Sequence, residues 1–84
     1  MPVLHVFSRR GCHLCEVLLE ELLPLVRGVL AVEVHDIDSK PEWRAAYATR
    51  IPFVEYDGRL ICQYHLDRSA IVEIRDEVQG ASPH

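Results

Sequence analysis

Cys12 and Cys15 stand three positions apart, between two apolar segments of different period. Before them, Val3–Phe7 is a short run of β-branched and aromatic residues bounded by Ser8-Arg9-Arg10-Gly11, which predicts a strand. After them, Leu18, Leu19, Leu22, Leu23 and Val26 recur at helical spacing, with Glu16, Glu20 and Glu21 on the other side. A close cysteine pair where a strand hands over to a helix is either a dithiol/disulfide couple or half of a metal site. Both uses commit the start of the chain to an α/β arrangement.

The rest of the chain extends that order. Val3–Phe7 is apolar at both parities, as in a central strand covered on two faces, with His5 inside it read as a core histidine satisfied by its neighbours. Pro24 predicts a kink or an end to the first helix near Leu23. Val29–Ile37 reads as a second strand, with Val32, Val34, Asp36 and Asp38 on one parity. Ser39-Lys40-Pro41-Glu42 resembles a helix start, Ser39 being the N-cap and Glu42 the partner of a capping box. That helix runs through Trp43, Ala46 and Tyr47 and breaks at Thr49-Arg50-Ile51-Pro52. Phe53–Tyr56, Asp57-Gly58 and Arg59–Cys62 predict a hairpin with a type I′ turn. A last helix is expected from Asp67 to Val78, with Ala70, Ile71, Ile74 and Val78 on its buried side and Gly80 as its stop. The order is βαβ-α-ββ-α, an α/β fold with a four-stranded mixed sheet and helices on both faces. One domain over residues 3–79 and a flexible tail at 80–84 are expected.

With 84 residues there is room for one core. A net charge of −4 speaks against a general nucleic-acid binder, whose usual footprint is basic. Met1–His5 shows no basic, apolar leader pattern, and no apolar run approaches the roughly 18 residues of a membrane span. A cytoplasmic monomer that binds neither nucleic acid nor membrane is the expectation. In that compartment a close cysteine pair is more often catalytic or metal-binding than structural.

Cys12 falls at the N-terminus of the first helix, where unpaired N–H groups and the positive end of the helix dipole favour a thiolate. Arg9, Arg10 and His13 add positive charge and complete a pKa-tuning set. Cys12 is expected to be the exposed nucleophile and Cys15, one helical turn on, the more buried resolving thiol. Asp36 and Asp38 are candidates for a partly buried carboxylate assisting Cys15. Trp43, Tyr47 and Tyr56 are expected to cover the sheet, and Cys62 to be a small buried hydrophobe.

Val6-Phe7-Ser8-Arg9-Arg10-Gly11-Cys12-His13-Leu14-Cys15, together with Ile51-Pro52-Phe53-Val54 and Asp57-Gly58, resembles the glutaredoxin branch of the thioredoxin-like superfamily. It is most similar to small bacterial glutaredoxin-like proteins with the motif Gly-Cys-His-Leu-Cys-Glu, here Gly11–Glu16. The resemblance covers roughly Val3 to Val78 and implies a thiol–disulfide oxidoreductase of cell redox homeostasis. It implies that Cys12 and Cys15 are catalytic and that Pro52 is a cis-proline facing them. Ile51 would then offer its backbone to an extended thiol-containing chain. The implied substrate-binding set is Arg9, Ile51, Pro52 and Gln63, with Arg9 standing where the family carries a lysine. The partners implied are a disulfide-containing protein or a glutathione mixed disulfide, and a cellular thiol reductant. No cofactor is required, and glutathione fits as reductant or co-substrate. The chain departs from the family where a Gly-Gly pair and a following aspartate hold glutathione. That stretch reads Cys62-Gln63-Tyr64-His65-Leu66-Asp67, so only half of a glutathione site is expected. The alternative function is a metal or iron–sulfur module using Cys12 with His13, Cys15, Cys62, His65 or glutathione. A third reading is a partner-binding domain without redox activity.

Overall fold

The computed structural model describes residues 2–80. The elements run β1 (Val3–Ser8), α1 (His13–Val26), β2 (Ala31–Asp36), a 3₁₀ turn (Ile37–Ser39), α2 (Pro41–Tyr47), β3 (Phe53–Tyr56), β4 (Arg59–Gln63) and α3 (Arg68–Gly80). They form one four-stranded mixed sheet in the order β2-β1-β3-β4. β1 is central, parallel to β2 and antiparallel to β3.

Strand alternation splits β1 between two cores. Leu4 and Val6 point to one side, where Val54 and Cys62 of the hairpin join Leu18, Leu22 and Val26 of α1 and Ile71 and Ile74 of α3. On α1 the buried positions are Cys15, Leu18, Leu22 and Val26, one stripe at helical spacing. Phe7 points to the other side, where it packs with Ile37, Phe53, Trp43, Tyr47 and Ile51 under the short α2. Helices therefore lie on both faces. Asp57 and Gly58, with φ of 52° and 76°, make the left-handed pair that a type I′ hairpin turn requires.

Five local expectations are corrected. Pro24 does not end α1, which continues to Val26. A proline removes one helical hydrogen bond, and here the loss falls in the last turn, on an exposed position, while buried Leu22 and Val26 hold the segment to the core. β2 starts at Ala31 because the amides of Val29 and Leu30 both donate to the Val26 carbonyl and close the helix end. It stops at Asp36, whose Oδ1 accepts the Asp38 N–H at 2.9 Å and caps the 3₁₀ turn. Ser39 is not an N-cap: its hydroxyl donates to the Asp36 carbonyl at 2.6 Å, leaving Lys40 at the cap of α2 with no side-chain bond. Gly80 belongs to α3 rather than stopping it. The rest of the expected tail, 81–84, lies outside the described residues.

Two smaller outcomes concern side chains. Val34 lies on β2, at the edge of the sheet, and is 52% exposed. His5 is not a core histidine. Its side chain is 35% exposed, and its ring is held by His35.

Candidate active site

β1 ends at the buried Ser8, and the chain turns through Arg9–Gly11 before α1 begins. Gly11 takes φ of 76°, a left-handed conformation that glycine enters at little steric cost. The Cys12 N–H closes the turn onto the Arg9 carbonyl at 3.2 Å. Cys12 is then the N-cap of α1, with extended φ and ψ. Its carbonyl accepts the Glu16 N–H, and its Sγ accepts the Cys15 N–H at 3.2 Å. A cysteine thus fills the place usually taken by Ser, Thr, Asp or Asn, and its sulfur receives a backbone donor at the positive end of the helix.

One helical turn places Cys15 beside it, with a Cα–Cα separation of 5.2 Å, and the two sulfurs form a disulfide. Cys15 is 3% exposed and Cys12 half-buried. The difference follows from position: Cys15 lies on the buried stripe of α1, whereas Cys12 sits at its open end.

The surrounding charges are arranged less simply than their sequence order implies. Arg9 is committed to Asp38 in a bidentate pair, Nε to Oδ2 at 3.0 Å and Nη2 to Oδ1 at 2.9 Å. The Asp38 carboxyl is lowered from its ordinary range by the Arg9 hydrogen bonds, and Arg9 is raised by the same contact. Both Asp36 and Asp38 are exposed, one capping the 3₁₀ turn and the other holding Arg9, so neither is a buried carboxylate beside Cys15. His13 is exposed, with its Nδ1 4.0 Å from Glu16, and Arg10 is exposed.

The loop before β3 and the loop after β4 are tied together. The Ile51–Pro52 peptide bond is cis. The Tyr64 N–H donates to the Pro52 carbonyl at 2.7 Å, and the Tyr64 hydroxyl donates to the Thr49 carbonyl at 2.8 Å. Gln63 is paired with Phe53 across the hairpin, and its Oε1 is buried without a hydrogen-bond partner. Leu14 of the cysteine motif lines a groove with Val17, Leu18, Glu21, Tyr64 and His65, so the motif helix and the β4–α3 loop meet. Asp67 caps α3: its Oδ1 accepts from the Ala70 N–H at 3.1 Å and the Ser69 hydroxyl at 2.8 Å, which lowers its carboxyl pKa.

Cys62 lies in the apolar core under α1 and α3, and burial pushes its thiol pKa up. It behaves as a small hydrophobe. Among the described residues, the one group of three or more convergent metal-ligand side chains is His5, Glu33 and His35. Sequence reasoning missed this group because its members come from two strands and meet only through the β1–β2 register.

Residues 3–74 match the family model of the glutaredoxin-like domain (DUF836). Among solved structures, the chain is similar to a structural-genomics target protein from X. campestris. That likeness has 27% identity and a TM-score of 0.68, and it spans 95% of this chain and 99% of that one. It also shares its fold with the holo form of glutaredoxin C1 from Populus tremula x tremuloides. Here identity is 22% and the TM-score 0.51, over 94% of this chain and 85% of that one. None of the curated proteins is a match in sequence.

Proposed function

Starting from a chain that belongs to the glutaredoxin-like domain family, we propose that it is a thiol–disulfide oxidoreductase in which Cys12 attacks and Cys15 resolves. The observation that carries this reading is the environment of Cys12, an N-cap sulfur that accepts a backbone N–H and adjoins the buried Cys15 sulfur. In the reduced protein the Cys12 thiolate attacks a substrate disulfide, forms a mixed disulfide and expels one substrate sulfur as thiolate. Cys15 then loses its proton and attacks the Cys12 sulfur. The second substrate sulfur leaves as a thiol, and the internal disulfide remains. Two electrons from a cellular thiol reductant restore the dithiol.

The substrate binds as an extended chain along Ile51, whose backbone lies in the loop that Tyr64 ties down. The Gln63 Oε1 is buried and unpaired, and it would accept a substrate N–H only once its side chain turns outward. A protein disulfide is favoured over glutathione because Arg9 already holds the Asp38 carboxylate and would have to release it to hold another. Among the described residues no helix is long and apolar enough to cross a membrane. The cytoplasm, with its supply of thiol reductant, is the compartment this reading requires.

The experiment is to trap the mixed disulfide in cells. A Cys15→Ser variant is expected to accumulate partners on Cys12 that a thiol reductant releases, and a Cys12→Ser variant is expected to capture none. Equal capture by the two variants overturns the assignment of nucleophile. His13 beside the thiolate also leads us to expect a couple more oxidising than thioredoxin's, about −270 mV. A potential at or below that value, titrated against glutathione, removes this part of the reading.

A further inference from the structure

His5 lies in the first half of β1, while the redox motif follows its end. In the parallel register His5 stands opposite Glu33, and Phe7 stands opposite His35. All four side chains fall on the face that α2 covers only in part. Three atoms converge there: His5 Nδ1 is 2.9 Å from His35 Nε2 and 3.3 Å from Glu33 Oε2, and His35 Nε2 is 3.8 Å from the same oxygen. The point equidistant from three atoms so spaced lies in their plane, about 2.0 Å from each, the length of a zinc bond to imidazole nitrogen or carboxylate oxygen. A tetrahedral site needs the exposed Glu33 carboxylate to swing closer to His35.

The His5 and His35 rings lie nearly parallel, 19° apart with centroids at 5.2 Å, and each must rotate from its hydrogen-bonded setting for both nitrogen lone pairs to meet one ion. His35 is held between Phe7 and Trp43, with centroid distances of 5.0 and 5.1 Å. Glu55 stands opposite His5 on β3, a second carboxylate on the same face.

We propose that His5, Glu33 and His35 form a binding site for a divalent transition-metal ion, with zinc the best fit. Two imidazoles and one carboxylate suit zinc and its neighbours, whereas calcium and magnesium prefer oxygen alone. Three protein ligands leave a fourth position open to water or to a further ligand. In the metal-free protein one ring donates the proton shared between His5 Nδ1 and His35 Nε2. Binding moves that proton to the ring's other nitrogen and spreads the two nitrogens by a few tenths of an ångström.

The test uses the full chain in its disulfide form, in which Cys12 and Cys15 offer no thiolate. Zinc titrated against a chromophoric chelator is expected to bind one per chain, with micromolar or tighter affinity. Cobalt in its place is expected to show ligand-field bands without sulfur-to-cobalt charge transfer. His5→Gln and His35→Gln are each expected to weaken zinc binding at least about tenfold, the loss that even outer-shell changes can cause. In the unsubstituted protein, where folding is not in question, long-range proton–nitrogen spectra should show zinc moving the ring nitrogens of His5 and His35. Binding weaker than millimolar, a charge-transfer band, or zinc shifts confined to His13, His65 or His84 overturns the proposal. Each of these outcomes leaves the redox reading of Cys12 and Cys15 untouched.

Discussion

Toward α1 and α3, β1 presents Leu4 and Val6, both fully buried; toward α2 it presents His5 and Phe7, and only Phe7 is buried. The same strand thus serves two faces built on different terms. Two helices of 14 and 13 residues seal the first face with aliphatic side chains. The second has a helix of 7 residues, which covers Phe7 and Phe53 and leaves the His5 end open. Coverage sets chemistry here. Where a long helix seals the sheet, alternation delivers only apolar groups, and where the cover runs short, two histidines and two glutamates stand on the strands only partly desolvated. Stability is drawn mainly from the sealed face, which leaves the other free to hold polar side chains.

Leu22→Ala sharpens that contrast most. Leu22 is fully buried in the sealed core, so its truncation is expected to cost about 2–5 kcal/mol. In a domain of this size each kcal/mol lowers Tm by roughly 4–8 °C. Trp43→Ala on the short-covered face, where the ring is half-buried, is expected to cost about 1–2 kcal/mol of lost apolar burial. Urea unfolding of both variants measures the difference, and equal losses break the comparison.

A smaller effect is expected from emptying the polar cluster. With both hydrogen-bonding partners replaced together by strand-favouring residues, His5→Val/His35→Val should change stability by less than about 1 kcal/mol in either direction. A larger loss in metal-free buffer would mean that the open face carries stability after all.

The smallest expected effect is a pH dependence. Burial and the facing His5 ring, with help from Lys40, lower the His35 pKa against the opposing pull of Glu33 and Glu55. A folded pKa below the unfolded one means that the unfolded chain binds more protons between the two values. Stability is therefore complete above the unfolded value near 6.5 and is lost as pH falls through that value toward the folded one. His35→Gln should flatten this part of a stability–pH curve measured in chelator. A curve of unchanged shape assigns the dependence to another group.

The fold was legible because its signals are local and repeated: helical spacing at Leu18, Leu22 and Val26, the Asp57-Gly58 turn, and a strand apolar at both parities. Cys12 at a helix start was legible for the same reason. What escaped needed a partner distant in sequence. Ser39 looked like a cap until Asp36 drew its hydroxyl into another turn. Arg9 looked like free charge until Asp38, 29 residues on, engaged it. His5 gave no sign of its use, because His35 and Glu33 reach it only through the β1–β2 register. Pro24 misled for an energetic reason: the core contacts of its neighbours outweigh one missing hydrogen bond near a helix end.

Tyr64 carries one more consequence. Its φ of 70° is a conformation that costs a bulky residue about 1–3 kcal/mol, and two hydrogen bonds, to the Pro52 and Thr49 carbonyls, hold it there. Glycine would remove the backbone cost and lose the hydroxyl's bond together, so the two changes nearly cancel in free energy. They do not cancel in time. Without the aromatic latch, the Thr49–Pro52 segment would open more often on the timescale of amide exchange, at almost unchanged global stability. A single position thus lets descendants of this chain trade the speed of one loop against its order while the rest of the molecule stays as it is.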